Sequence, residues 1–592
     1  MKKVTLILAC MLAAALCRAS TFVVDDDGPA DFNNIQAAID ASATGDCIIV
    51  NPGAYTGPGN CDINFKALAI TIRSADPNDP NIVAATIIDS NGTQAQSHRG
   101  FHFTSGEGAN SILDGLTVTG GFVQGDWPTG RGGAIACFYA SNPTIKNCVI
   151  TGNISTVGGG GIYCYGSNPT LINCVISENF ANFGGGIYNS DGSSPVLTGC
   201  TFIANTAQGN FGDGGAMANQ YSAPTLNDCD FIANLAFGYG GGAITNKLSS
   251  PILTNCTFAA NDTTANGGAV RNYRSNPLLV NCLFTGNTAG EGGGIYNISY
   301  SSPSLLSCTF SNNSAFFFGG ALSNWYYSNP ALNNCIFAAN SSTWGGAIES
   351  YTAGATVANC TFTDNLAISG AGHALGCDSY NQIYPSNVTI TDSIIWDGND
   401  EIWNNDNSII TITYTNITNG WPGIGNIAAD PCFVLAGYWD PNGTPQDAND
   451  DFWIDGDYHL KSEGWRWDAN RKRWTWDDVT SRCIDAGNPG SPFGQEPLDV
   501  PEDPNNKWGQ NIRLDMGAYG GTAEASIPPH NWAILGDLTN DGTLNLYDLE
   551  NWAQDWLKTE SRLPPDLDRN GVVDFSDFAL LAQDWLEQTI WH

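Results

Sequence analysis

From Cys148 to Cys360 the chain repeats one short pattern of apolar and polar positions. Nine cysteines (Cys148, Cys174, Cys200, Cys229, Cys256, Cys282, Cys308, Cys335 and Cys360) recur at intervals of 25 to 29 residues. An aliphatic residue stands three before each (Ile145, Leu171, Leu197, through Val357), and Ile or Phe stands two after (Ile150, Ile176, Phe202, through Phe362). Asn stands five after every one, from Asn153 to Asn365, and Pro five before, from Pro143 to Pro330, with Ala355 in the last copy. A variable loop then leads to Gly-Gly and an aliphatic residue, as in Gly185-Gly186-Ile187. A period of this length marks a stacked array. Proline, glycine and short β-branched or aromatic runs exclude helical repeats, so each copy predicts two or three short strands. Positions −3, 0 and +2 do not share one parity, and a period-2 strand cannot bury all three. A corner between −3 and 0, at the residue that is usually Asn, resolves this. The pattern predicts an all-β solenoid, a parallel β-helix in which each coil stacks on the last. Stacked Asn side chains would hydrogen-bond along the axis, Asn also tolerates the left-handed turn conformation, and Gly-Gly allows a sharp turn. The Cys column reads as buried, reduced thiols. Adjacent coils lie within disulfide reach, but stacked side chains point the same way and nine is odd.

The elements TFIAN, TFAAN, LFTGN, TFSNN, IFAAN and TFTDN, paired with GG and Ala or Ile, resemble the repeats of chlamydial polymorphic outer membrane proteins over about residues 130–380. The resemblance implies a right-handed parallel β-helix, the general hand of parallel crossovers. That family also has a C-terminal membrane barrel, for which this sequence shows no pattern. The N-terminal stretch TFVVDDDGPADFNNIQAAIDASATGDCIIVNPGAYTG resembles the entry segment of pectin-lyase-like β-helices. Phe32, Ile35, Ala38 and Ile39 have helical spacing and would cap the open core. SNVTITDSIIW and SIITITY read as final coils, and CIDAG and DMGAYGGT resemble the closing segments of secreted bacterial β-helix proteins. Trp465, Trp467, Trp474 and Trp476 between them predict either a sugar-stacking patch or a hairpin with cross-strand Trp pairs.

Composition narrows the function. The 592 residues include 68 Gly, only 14% are charged, and the net charge is −36. Nucleic-acid binding is excluded, because neutralising phosphates needs clustered cations. Lys2 and Lys3 before an apolar run, with Ala19 as cleavage position, predict a secretory signal over residues 1–19; Cys10 offers a weak lipoprotein-like box. No other segment is apolar enough for a membrane span, so the protein is expected to be secreted and extracellular. The expected order is then N-terminal cap and first coils (20–130), regular repeats (131–385), last coils and closing region (386–526), a linker at Pro528-Pro529 (527–531), and a separate module (532–592).

That module is an internal duplication with an offset of 29 residues. Asp537, Thr539, Asp541, Thr543, Asn545 and Asp548 align with Asp566, Asp568, Asn570, Val572, Asp574 and Asp577. These occupy positions 1, 3, 5, 7, 9 and 12 of a calcium loop, with Gly542 and Gly571 at the turn and Thr543 and Val572 offering backbone carbonyls. Two Ca2+ sites are expected, the first weaker through Thr539. Loops duplicated without an incoming helix resemble a type I dockerin, a small α-helical calcium-binding domain. The resemblance implies a cohesin-type partner, contacted through Leu546, Tyr547, Phe575 and Ser576, as the protein's route to a cell surface.

The repeats offer little catalytic chemistry. Residues 141–385 hold ten acids and four cations, and Glu178, Asp191, Asp228, Glu291 and Glu349 scatter over different repeat positions. His373 replaces the aliphatic residue after Gly-Gly and reads as a satisfied turn histidine. Lys247, Arg271 and Arg274 form a cationic cluster suited to an acidic sugar or to plain solvation. Trp344, with Phe183, Phe237, Tyr239 and Phe316 to Phe318 in the variable loops, would form a glycan-stacking ridge or cover loop cores. The reading is a secreted β-helix that binds polysaccharide or a cell surface and is tethered by its calcium module. The alternative is a polysaccharide lyase or glycoside hydrolase delivered by that module.

Overall fold

A computed structural model describes residues 19–209, 213–370, 372–379, 382–444, 451–498, 509–560 and 563–590. The apolar leader and Cys10 lie outside the described residues. The chain divides into two compact units, residues 1–251 and 252–592.

In the first unit, each regular coil has four strands where the sequence predicted two or three. One coil runs through Thr144–Lys146, Val149–Thr151, Ile154–Ser155 and Ile162–Tyr165. Equivalent strands of successive coils pair in parallel and in register, as Leu171 pairs with Leu197 and Ile176 with Phe202. The parity problem is solved by the expected corner: Asn147, Asn173 and Gly199 have φ of 52°, 50° and 62°, which turns Cys148, Cys174 and Cys200 inward. A second corner was not foreseen. The residue before each ladder Asn (Gly152, Glu178, Ala204, Ala233) takes the left-handed turn, so the Asn itself does not. The Asn side chains are free to form the axial ladder, with Nδ2 of Asn153, Asn179 and Asn205 each donating to the next Oδ1 at 3.0 Å. Their backbones start the extra strand inside the variable loop. At the open end, α1 (Ile35–Ala41) buries Ile35, Ala38 and Ile39 and is N-capped by Asn34. Phe32 precedes this helix, pairing with Val24 and meeting Phe22 edge-on. Farther along, α2 (Pro80–Ala85) packs Val83 inward.

The second unit repeats these coils. Its Asn ladder runs from Asn261 through Asn287, Asn313 and Asn340 to Asn365, where Asp397 Oδ1 accepts the last bond at 2.9 Å. A second ladder, Asn272 to Asn297 to Asn324, lies behind the Gly-Gly turns. Phe258, Phe284, Phe310, Phe337 and Phe362 stack with centroids 4.6–5.1 Å apart. Each ladder Cys in this unit donates its Sγ–H to the carbonyl two residues before it, as Cys308 does to Leu306 at 3.4 Å. Asn387–Thr391 and Ile409–Thr413 are coil strands in parallel register, as SNVTITD and SIITITY predicted. Arg466–Asp468 and Arg473–Thr475 make an antiparallel hairpin with Trp467 opposite Trp474, rings 5.8 Å apart. Ile394, Tyr414, Ile427, Leu460, Cys483, Ile484, Ala486, Met516 and Trp532 form the closing core, so CIDAG and DMGAYGGT both reach it.

The C-terminal duplication forms two loop–helix repeats, with α3 (Leu546–Gln554) and α4 (Phe575–Gln583) each held by a capping box, Asn545 with Asp548 and Asp574 with Asp577. The repeats are related by a local two-fold pattern: Leu557 N–H donates to Val573 O, and Leu586 N–H to Leu544 O. Leu538, Leu544, Trp552, Leu567, Val573 and Leu581 fill their core. Residues 527–531, expected as a linker, pass between packed surfaces: Ile527 exchanges backbone hydrogen bonds with Trp465, and Trp532 sits in the closing core. The fourth residue of each loop holds the repeats to the closing region. Asn540 Nδ2 donates to Gly425 O and Ala486 O, and Arg569 donates to Pro489 O and Ile512 O with its guanidinium 4.2 Å from the Phe493 ring. Among the described residues no helix is long and apolar enough to cross a membrane.

Candidate functional site

The strand after each Gly-Gly points alternate residues away from the coil interior, and in the second unit these make one column that is buried at Tyr296, Ser323 and Glu349. Parallel register aligns Arg271, Tyr296, Ser323, Glu349, Gly376 and Trp403 on successive coils. A parallel column, two positions on, holds Tyr273, Ile298, Trp325, Tyr351 and Asp378. Trp325 and Tyr351 stack at 4.2 Å, and Trp325 Nε1 donates to Ser323 Oγ. Arg271 and Arg274 lie either side of Tyr273, 5.9 and 5.6 Å from its ring. Lys247, in the first unit, is exposed at the end of Ile244–Lys247. Trp344 is half-buried and stacks on Phe318 at 5.3 Å.

Two acids that looked scattered belong to this face. Glu291 accepts from Asn266 Nδ2 at 2.8 Å, and burial raises its carboxyl above the usual range. Glu349 is fully buried with neither carboxylate oxygen partnered. Burial, then the charges of Asp378 and Asp406, push it up to about 8, so it is a neutral acid at neutral pH. Asp378 and Asp406 are tied together by Asn405 Nδ2 on Asp378 and Ser379 Oγ on Asp406. His373 is a turn residue, its Nδ1 3.0 Å from Asn365 O and 3.3 Å from Ala367 N.

The exposed aromatics stand at a place the sequence reading passed over. The corner after the same strand carries Tyr139 and Tyr221 in the first unit and Tyr300, Tyr326 and Tyr327 in the second, all with φ between 50° and 67°. Bulky residues rarely adopt this conformation, at a cost of roughly 1–2 kcal/mol each. Tyr300 is 63% exposed and stacks on Tyr327 at 5.2 Å. The available signal was the aromatic residue just ahead of the repeat's Pro, in FYASNP, YSAP, YSSP and WYYSNP. Of the variable-loop aromatics, Phe316 is the most open at 72%.

In the C-terminal repeats, one oxygen from each of Asp566, Asp568 and Asp577 lies within 4.8 Å of the others. Asp566 Oδ2 takes the Gly571 N–H and Asp577 Oδ1 the Asp568 N–H, so the loop curls around these carboxylates. The first loop repeats this with Asp537, which accepts from Gly542 N, and Asp548, which accepts from Thr539 N and Thr539 Oγ1. Gly542 and Gly571 have φ of 87° and 89°, which a side chain resists. Hard oxygen donors around a tight glycine turn fit Ca2+. Leu546, Tyr547, Phe575 and Ser576 are all exposed at the helix starts, and Phe575 meets Trp556 edge-on at 4.9 Å.

The chain belongs to the right handed beta helix family: the family described as "Right handed beta helix region" matches residues 33–258 and 214–384. Among solved structures it is similar to the pectate lyase Pel9A (15% identity, TM-score 0.30, over 86% of this chain and 97% of that one). It is also similar to the PL6 family alginate lyase AlyGC (14%, 0.38, over 72% and 54%) and to a rhamnogalacturonan lyase (11%, 0.27, over 74% and 96%). No curated protein matches it by sequence.

Proposed function

We propose that this is a secreted β-helix protein that binds a polysaccharide or a glycan-bearing surface, tethered to a cohesin-type module by a dockerin-like calcium domain. The corner tyrosines carry the reading. In the second unit Tyr300 and Tyr327 stand exposed on adjacent coils in a strained backbone conformation and stack on each other, and sugar rings stack on such apolar faces. Asp537, Thr539, Asp541, Thr543, Asn545 and Asp548, and their counterparts Asp566, Asp568, Asn570, Val572, Asp574 and Asp577, would hold two calcium ions. Calcium there would brace each loop against its helix. Leu546, Tyr547, Phe575 and Ser576 would face the protein partner. A glycan array with residues 20–592 tests the binding role. One class of plant, algal or microbial polysaccharide should be retained, and Tyr300→Ala with Tyr327→Ala should weaken it at least tenfold. Equal retention by the double variant would remove the ridge from the site.

A second reading has its own support. Glu349, raised to about 8 by burial and by Asp378 and Asp406, would have the protonation a general acid needs for cleaving a glycosidic bond, reached by substrate only once the side chains that bury it move aside. A polysaccharide lyase or glycoside hydrolase would release reducing ends or unsaturated products from a retained glycan and lose that activity in Glu349→Gln. Retention without any product supports binding alone.

A further inference from the structure

The closing region of the second unit buries a charge cluster that neither the glycan face nor the calcium loops use. Asp485 of CIDAG, Glu496, and Asp515 of DMGAYGGT are all buried, and one oxygen of each lies within 4.8 Å of the other two. Two oxygens bound to one calcium at about 2.4 Å lie at most about 4.8 Å apart. The spacing admits one shared cation.

The local hydrogen bonds leave oxygens without donors. Asp485 Oδ1 accepts the Ile512 and Arg513 N–H groups. Asp515 accepts from Asp485 N through Oδ1 and from Ser526 N through Oδ2. Glu496 spends Oε2 on the Asp515 and Gly521 N–H groups, its carboxyl lies within hydrogen-bond reach of the Asp515 carboxyl, and its Oε1 is buried with no donor. A second orphan stands in the same knot. Asn511 is 3% exposed, its Nδ2 is held by Pro497 O and Ser526 O, and its Oδ1 has no partner. Buried oxygens without donors are costly and rare.

Nearby cations do not fill the gap. Arg513 is fully buried, yet its guanidinium donates to the carbonyls of Ala486, Gly487 and Asp537. Arg569 donates to Pro489 O and Ile512 O. Among the described residues none of the three acids forms an ion pair. Three carboxylates at this separation in a low-dielectric site do not all ionise without a counter-charge.

We infer that Asp485, Glu496 and Asp515, linked through Ser526 to the buried and unpartnered Asn511 Oδ1, form a buried structural site for a hard divalent cation of the calcium class. The donors are all oxygen, which selects against zinc and copper. The ion pins three separate segments of the closing region at the base of Arg513. Because Arg513 Nη1 donates to Asp537 O at 2.8 Å, the same knot supports the first calcium loop.

The test uses residues 20–592, stripped with chelator and dialysed against calcium, with bound metal counted by atomic emission. Wild type is expected to hold three ions, Glu496→Gln two, and the loop double variant Asp541→Ala with Asp568→Ala one. Unchanged stoichiometry in a folded Glu496→Gln overturns the site. Should that variant fail to fold, wild-type crystals soaked in terbium decide. An anomalous peak among Asp485, Glu496 and Asp515 supports the site, and peaks at the two loops alone overturn it in favour of shared protons. A peak at the cluster with both loops empty supports this site while removing the dockerin-like reading.

Discussion

Gly376 is the register partner of Glu349, and a β-carbon on Gly376 would overlap Glu349 Oε2. A β-carbon on the adjoining Gly345 would come within 2.7 Å of the same oxygen. The buried carboxyl occupies a slot that only glycine neighbours leave open. Gly376→Ala is therefore expected to cost about 1–3 kcal/mol by overpacking. In the background of Glu349→Ala most of that cost should vanish, giving a coupling of at least about 1 kcal/mol in a denaturant double-mutant cycle. Additive losses would mean that Glu349 does not fill the slot.

The same carboxyl makes stability depend on pH. Its folded value of about 8 lies above the ordinary 4.5, so between these the folded chain keeps a proton that the unfolded chain has lost. Its contribution is fully present below pH 4.5, declines as pH rises, and is gone above about 8. The whole shift corresponds to at most about 5 kcal/mol. Buried Asp485, raised to about 7, slopes the same way when no cation is bound. The readout is thus a difference: Glu349→Gln should lose less stability than wild type between pH 5 and pH 8 in urea titrations, and parallel curves would contradict the assignment.

Asn287 is a middle rung of the axial ladder. Its Nδ2 donates to Phe258 O and Asn313 Oδ1, and its Oδ1 accepts from the Asn261 backbone and side chain. Asn287→Ala strands buried groups above and below, and a loss of about 3 kcal/mol is expected in thermal or denaturant unfolding. A change under about 1 kcal/mol would show that the rungs are dispensable.

Arg569 fastens the C-terminal repeats to the closing region through two carbonyls and the Phe493 face. Arg569→Ala should cost about 2 kcal/mol locally. Amide hydrogen exchange should quicken in α3 and α4 while the Asn-ladder coils stay protected. Unaltered exchange in those helices would indicate a module that stands free of its neighbour.

Much of the architecture follows from the sequence because a stacked repeat is nearly one-dimensional: each position meets its own copy one period away. The Cys, Phe and Asn columns, the corner before Cys148 and its equivalents, and the loop–helix duplication all follow from spacing. What spacing cannot give is what a side chain meets across the stack. Glu291 and Glu349 occupy different repeat positions, so they read as scattered acids, and only folding sets them on one face. The corner tyrosines show in the sequence only as an aromatic residue ahead of the repeat's Pro, and residue type alone does not reveal their left-handed backbone or their exposure. Asp485, Glu496 and Asp515 lie in irregular closing segments with no period to align them. The two prolines at 528 and 529 signalled separation, while Asn540 and Arg569 attach the C-terminal repeats to the coil end through backbone carbonyls, which leave no trace in residue type.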